Sequence, residues 1–171
     1  VEDAMKPVAP ILHEDLFTSG VTPKPTTPSN VAKQVRFTIG DVEAGFKQAD
    51  AIVEQRYVTA PVHQAYIEPH ACLVSHVAGK VTVWSSSQGQ FMVRAMCSLM
   101  SGIPQSNIRA IPAEIGGGFG GKTIVYLEPV ALALSRKSGR PVKMVMSREE
   151  VMRAAGPTSG SSSTVKIGAK K

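Results

Sequence analysis

Aromatic side chains are scarce in this sequence: Phe, Trp and Tyr make up 5% of its 171 residues. That removes the stacking platforms on which proteins hold unpaired bases. Lys and Arg number 19 against 13 Asp and Glu, a net charge of +6. The basic residues are nevertheless scattered, gathering loosely only at Arg136, Lys137, Arg140 and Lys143 and at Lys170 and Lys171. A dispersed excess is not the footprint of a nucleic-acid interface, so no nucleic-acid partner is expected. No apolar run approaches the roughly 18 residues of a bilayer span, so no membrane insertion is expected. The first residues also lack the basic stretch, apolar core and small-residue cleavage site of a secretory signal. Cysteine is nearly missing too. Cys72 and Cys97 stand far apart without CxxC spacing, which reads as two reduced core residues in a cytoplasmic protein.

An apolar fraction of 43% with 19% charged residues suffices for a real core. Residues 1–30, rich in Pro and Thr, read as an extended connector. Residues 34–39 alternate like a short strand. Asp41 then offers an N-cap for a brief helix with Val42, Phe46 and Ala49 on one face, and 51–59 follows as a strand. Residues 71–77 and 80–87 form a hairpin turning at Ala78 and Gly79, with Val81, Val83 and Ser85 on one face and Gln88 at its end. The segment 91–101 carries Met92, Met96 and Leu99 at helical spacing and stops at Gly102 and Pro104, so these side chains are expected in the core. A strand at 108–111 leads into the glycine-rich segment. A helix over 124–137 follows, in which Pro129 requires a start near Tyr126 or a kink, and Gly139 closes it. A strand at 142–146, a helix at 148–154 and, from 164 to 167, the beginning of another strand complete the pattern. Strands mixed with helices around a local hairpin give the fold class α+β with a mixed sheet, and no fixed-period repeat is present.

The run Gly116-Gly-Gly-Phe-Gly-Gly-Lys122 holds five glycines in seven residues beside regular structure. Such a concentration implies positive φ angles or close approach of the main chain to something bulky. Gly116, Gly121, Lys122 and Thr123 fit the phosphate-loop pattern G-x4-G-K-[ST], which gives an alternative: a nucleotide-binding protein using Gly116 to Thr123. Against it, the one clear later strand ends in Ser147 and Arg148 rather than in an acidic magnesium partner. Gly116, Gly118 and Gly121 also fit G-x-G-x-x-G, but a dinucleotide fold places that fingerprint after its first strand.

A third reading uses most of the chain. His63-Gln-Ala-Tyr-Ile-Glu68-Pro-His70, Val81-Thr-Val-Trp-Ser-Ser-Ser-Gln88, the glycine run, and Gly139-Arg-Pro-Val-Lys143 with Ser147-Arg-Glu-Glu150 together resemble the molybdopterin-binding large subunit of the xanthine dehydrogenase and aldehyde oxidase family of molybdenum hydroxylases. The resemblance implies a molybdenum-cofactor-binding domain. Residues 1–30 would then be the connector from an N-terminal hammerhead domain outside this chain, and 31–171 the first part of the cofactor domain, truncated at its C-terminus.

It also implies roles. Gln88 would aim its amide at the metal centre and hydrogen-bond its oxo ligand, which a neutral side chain at a strand end can do without burying a charge. Gly117, Gly118, Phe119 and Gly120 would pass along the pterin, with Phe119 as an apolar wall beside metal and substrate. Gln88 and Phe119 are thus the candidate catalytic residues, and the general-base glutamate is expected outside this chain. No protein metal ligands are expected: His63, Glu68 and His70 match no common ligand spacing, and the resemblance makes their segment a structural turn. Glu128 and Glu149 read as charges at helix starts. The implied cofactor is molybdenum–molybdopterin, the cytosine dinucleotide being one form of it. Iron–sulfur clusters and FAD belong to partner domains or subunits. The implied partners are the rest of the same subunit, those redox subunits and a small aldehyde or N-heterocycle, hydroxylated with water-derived oxygen. One departure stands out: many family members carry a glutamate where this chain has Thr123. By itself the chain is expected to be inactive.

Overall fold

A computed structural model describes residues 2–171, and Val1, the first residue of the expected connector, lies outside them. Contacts divide the chain into two compact units: residues 2–59 with Ser161–Lys171, and Ala60–Gly160.

In the first unit, helix α1 (Val42–Lys47) starts where the Asp41 side chain accepts the Ala44 N–H at 2.9 Å, as its N-cap chemistry predicts. Strands β1 (Ala51–Thr59) and β6 (Ser161–Ala169) pair antiparallel from Ala51 against Ala169 to Thr59 against Ser161. β6 starts three residues before the expected 164. Gly168 lies against α1, where an added Cβ would stand 3.0 Å from the Phe46 ring. Residues 34–39 do not form the expected strand. Val35, Phe37 and Ile39 are exposed, and the bridge from Lys33 to Ser19 is not continued. Alternation supplies a strand's pattern, but without a paired edge the backbone polar groups gain nothing from the ladder.

The second unit is an α+β fold on a mixed four-stranded sheet, ordered β4 (Ile108–Pro112), β3 (Lys80–Ser85), β2 (Ala71–Val77), β5 (Val142–Val145). β2 pairs antiparallel with β3 and β5, and β3 pairs parallel with β4. The β2–β3 turn has Ala78 at φ 48° and Gly79 at φ 77°, the two left-handed residues of a tight hairpin that follows strand twist. Helices α2 (Gln90–Ser101) and α3 (Glu128–Ser138) pack on the sheet face presented by Cys72, Val74, Val81 and Val83. α2 is rotated from the expected orientation. Val93 and Cys97 face the core, whereas Met92 is exposed and Leu99 is 74% exposed. One residue turns a helix by about 100°, so the smaller Val93–Cys97 ridge fits against β-branched strand residues and the longer side chains point away.

α3 begins at Glu128 rather than at 124, with Pro129 in its first turn, where proline removes no hydrogen bond. Gly139 closes it at φ 66°, its N–H donating to Ser135 at 3.0 Å. Helix α4 (Arg148–Ala154) starts with a capping box between Ser147 and Glu150, and Glu149 stands in the same first turn as expected. Glu149 also pairs with Arg153 at 3.0 Å. Among the described residues no helix is long and apolar enough to cross a membrane.

Candidate cofactor-binding site

The glycine-rich segment links β4 to α3, and two side chains fasten it. Gln88, just beyond β3, accepts the Gly120 N–H at 3.0 Å and the Lys122 N–H at 3.2 Å on its Oε1. Its own N–H donates to the Lys122 carbonyl at 2.9 Å. Two main-chain donors on one oxygen fix the orientation of the carboxamide. Its Nε2 donates to none of the described residues.

Gly118 is buried directly against this amide: an added Cβ would lie 2.5 Å from Gln88 Oε1. Gly116 and Gly121 are packed in the same way against Glu68 and Tyr66. Three of the glycines are therefore demanded by the chain's own packing. Gly120 differs, since at φ +86° it has nothing within 4 Å on the side a Cβ would occupy. Gly117 is half-buried between the Tyr66 Cβ and the Phe119 ring. Phe119 is 74% exposed and sits at φ 47°, a left-handed conformation that costs a bulky residue about 1–2 kcal/mol. The structure thus gathers Gln88, Gly117, Gly118, Phe119 and Gly120 in one place. It offers there a fixed amide donor, an open stretch of main chain and an exposed ring. That set fits a large, flat, anionic group approaching the backbone, as molybdopterin would.

Beneath the loop lies a network that the residue pattern did not disclose. Lys122 is 0% exposed, with Nζ 2.5 Å from Glu68 Oε2 and 5.0 Å from the centre of the Tyr66 ring. The same Glu68 oxygen accepts the Gly116 N–H at 2.8 Å. Burial works to raise the Glu68 carboxyl, but hydrogen bonds from Lys122 and Gly116 and the lysine's charge outweigh it, so the group is held below its ordinary range. Tyr66 and His70 share a 2.6 Å hydrogen bond. Burial and then the Lys122 charge push His70 down, which favours the neutral ring. Burial, followed by Tyr126, pushes the Tyr66 hydroxyl up. His63 accepts the Ala65 N–H at 2.9 Å on Nδ1 and donates from Nε2 to the Val151 carbonyl at 3.2 Å. Among the described residues no three His, Cys, Asp or Glu side chains converge as a metal site.

The lysine that a phosphate loop extends to its nucleotide is here enclosed and paired. The loop also stops short of a helix N-terminus, because α3 begins only at Glu128. Nothing in this geometry favours the nucleotide alternative. A cavity of about 470 Å³ between α2 and β4, lined by Gln90, Arg94 and Arg109, contains none of the loop residues.

A family model for the molybdopterin cofactor-binding domain matches residues 23–171. A chain of a probable xanthine dehydrogenase of Bacillus subtilis is 31% identical over 98% of this chain and 21% of its own length. The carbon monoxide dehydrogenase large chain of Hydrogenophaga pseudoflava is 37% identical over 86% of this chain and 19% of its own. A solved CO dehydrogenase from Oligotropha carboxidovorans superposes with a TM-score of 0.64 at 30% identity, covering 99% of this chain and 22% of that one. This chain thus spans about a fifth of the length of these relatives. The chain belongs to the molybdopterin cofactor-binding domain family.

Proposed function

We propose that this chain forms one wall of the molybdenum-cofactor site in the large subunit of a cytoplasmic molybdenum hydroxylase. The bound cofactor would supply two-electron oxidation of an aldehyde or N-heterocyclic carbon with oxygen derived from water. Gln88 would donate from Nε2 to an anionic or oxo acceptor, because its Oε1 is already occupied by Gly120 and Lys122. The main chain from Gly117 to Gly120 would lie along the pterin, in its simple or cytosine dinucleotide form. Phe119 would exclude water beside the reacting carbon. The remainder of the subunit would complete the pocket and provide the general base, and iron–sulfur and flavin partners would take the electrons.

The observation that carries this reading is the locked Gln88 amide beside open Gly120 and exposed Phe119. It is tested in the full-length subunit with Gln88→Ala and Gln88→Glu, measuring molybdenum and pterin content together with kcat and KM. Loss of a preorganised donor lowers kcat by roughly a hundredfold with KM changed far less. Variants as active as the parent would remove Gln88 from the site.

A further inference from the structure

Both ends of the glycine arch meet at one atom. Glu68 Oε2 accepts Gly116 N at 2.8 Å at the start of the segment and Lys122 Nζ at 2.5 Å at its end. Lys122 also belongs to the second clamp, since its N–H donates to Gln88 Oε1 and its carbonyl accepts from Gln88 N and from Ser87 Oγ. Moving the lysine side chain therefore moves the partner that orients the Gln88 amide.

A fully buried ammonium is a poor device for stability. Desolvation offsets most of its attraction to a carboxylate, and apolar residues of similar volume commonly do as well. Such a pair does specify geometry, because the enclosed cation accepts no position away from its counter-charge. Phe119 at φ 47° lies inside the span so fixed, and a left-handed bulky residue persists only where its surroundings over-determine it.

We propose that Glu68 is a positioning residue: by holding Gly116 N and Lys122 Nζ on one carboxylate oxygen, it closes the glycine arch and sets where the Gln88 Nε2 donor and the Gly120 main chain meet the molybdenum cofactor. This rests on the cofactor reading above. Glu68 acts through Lys122 and the loop and needs no contact with substrate.

The experiment compares Glu68→Gln, Lys122→Met and the double variant with the parent in the full-length subunit. Amide hydrogen exchange of residues 116–122 in cofactor-free protein is read against β2 and β3, and molybdenum content is measured after cofactor loading. Glu68→Gln leaves the buried ammonium without its counter-charge, so loop exchange rises by roughly tenfold or more while β2 and β3 stay protected. Molybdenum content falls with it. The double variant removes both charges and keeps an amide oxygen for Gly116 N, so it recovers both loop protection and molybdenum relative to Glu68→Gln. Lys122→Met alone frees the 120–122 end and leaves Gly116 held. Unchanged loop exchange in Glu68→Gln overturns the proposal. So does a loosened loop with full molybdenum content, or a double variant no better than the single one. Loss of β2 and β3 protection along with the loop makes Glu68 a stability residue, which also overturns it. A parent subunit that never takes up molybdopterin instead sinks the cofactor reading, while the exchange comparison stays readable.

Discussion

Ser85 Oγ donates to Glu128 Oε1 at 2.5 Å, tying the last residue of β3 to the first residue of α3 inside the core. The other Glu128 oxygen accepts the Tyr126 N–H at 3.1 Å. A carboxylate at a helix start is favoured by the unpaired N–H groups of the first turn, and here it also ends the approach to the glycine segment. β3 continues from this anchor to Gln88.

Replacing Glu128 tests that anchor. Glu128→Ala strands a buried hydroxyl and a main-chain N–H and is expected to cost roughly 2–4 kcal/mol. Glu128→Gln keeps an acceptor for one of them and costs less. Denaturant midpoints at constant m-value measure both, and an alanine variant within about 0.5 kcal/mol of the parent rules the anchor out.

Two neighbouring glycines should respond differently to alanine. At Gly118 the new Cβ meets Gln88 Oε1 at 2.5 Å and Cδ at 2.7 Å, so the amide must leave Gly120 and Lys122. At Gly120 space is open and only the positive φ is penalised, by about 1–2 kcal/mol. In the full-length subunit, Gly118→Ala is expected to lower kcat as Gln88→Ala does. Gly120→Ala should chiefly weaken cofactor retention, because its Cβ stands where the pterin would lie. Equal kcat losses for the two would contradict this division.

Much of this arrangement is legible in the residues. The Val81, Val83, Ser85 alternation, the Ala78–Gly79 turn, the Gly102 and Gly139 stops and the Asp41 cap each follow from local chemistry. The structure bears out the alternation, the turn and the two glycine stops, and likewise the Asp41 cap, whereas the Ser147 capping box emerges only from the structure. What stays hidden depends on partners distant in sequence. Residues 34–39 have a strand's alternation but no strand to pair with, and the α2 stripe misleads because Val93 and Cys97 outcompete Met92 and Leu99 only in the presence of β2 and β3. Lys122 carries no local sign that it is enclosed. Its burial is set by Glu68, 54 residues earlier, and no spacing rule links the two. The sole hint is an acidic residue in the segment before β2 with no sequence neighbour to neutralise it.

Both thiols are expected to be inert in the folded chain. Cys72 and Cys97 are buried and unbonded, and burial, followed by the Glu128 charge, pushes each up to about 12. Thiolate is the reactive form, so a disulfide reagent at about pH 8 should label neither until denaturant is added. Rapid labelling of the native protein would show that the α2–sheet core opens readily.

His70 should give the folded domain a measurable dependence on pH. Its ring is buried, shares a hydrogen bond with the Tyr66 hydroxyl, and lies edge-on to Tyr66 and Tyr126 at centroid distances of 5.4 and 4.8 Å. Burial first, then the Lys122 charge, lower its affinity for a proton, while Glu128 and Glu68 act in the opposite direction without prevailing. An unfolded chain protonates this histidine near its ordinary value of about 6.5, whereas the folded chain does so only at lower pH. Within that window the unfolded state holds more protons, so stability rises with pH. His70's contribution is complete above about 6.5 and declines as pH falls toward the folded value. Glu68, also held low, adds a separate loss below its unfolded value of about 4.5. Unfolding free energies at about pH 5.5 and pH 7.5 should differ in that direction for the parent. His70→Gln keeps a hydrogen-bonding group beside Tyr66 but does not titrate, so its two values should lie closer together. A parent that is more stable at the lower pH, or a variant with the same slope, would show that this ring is protonated in the folded state.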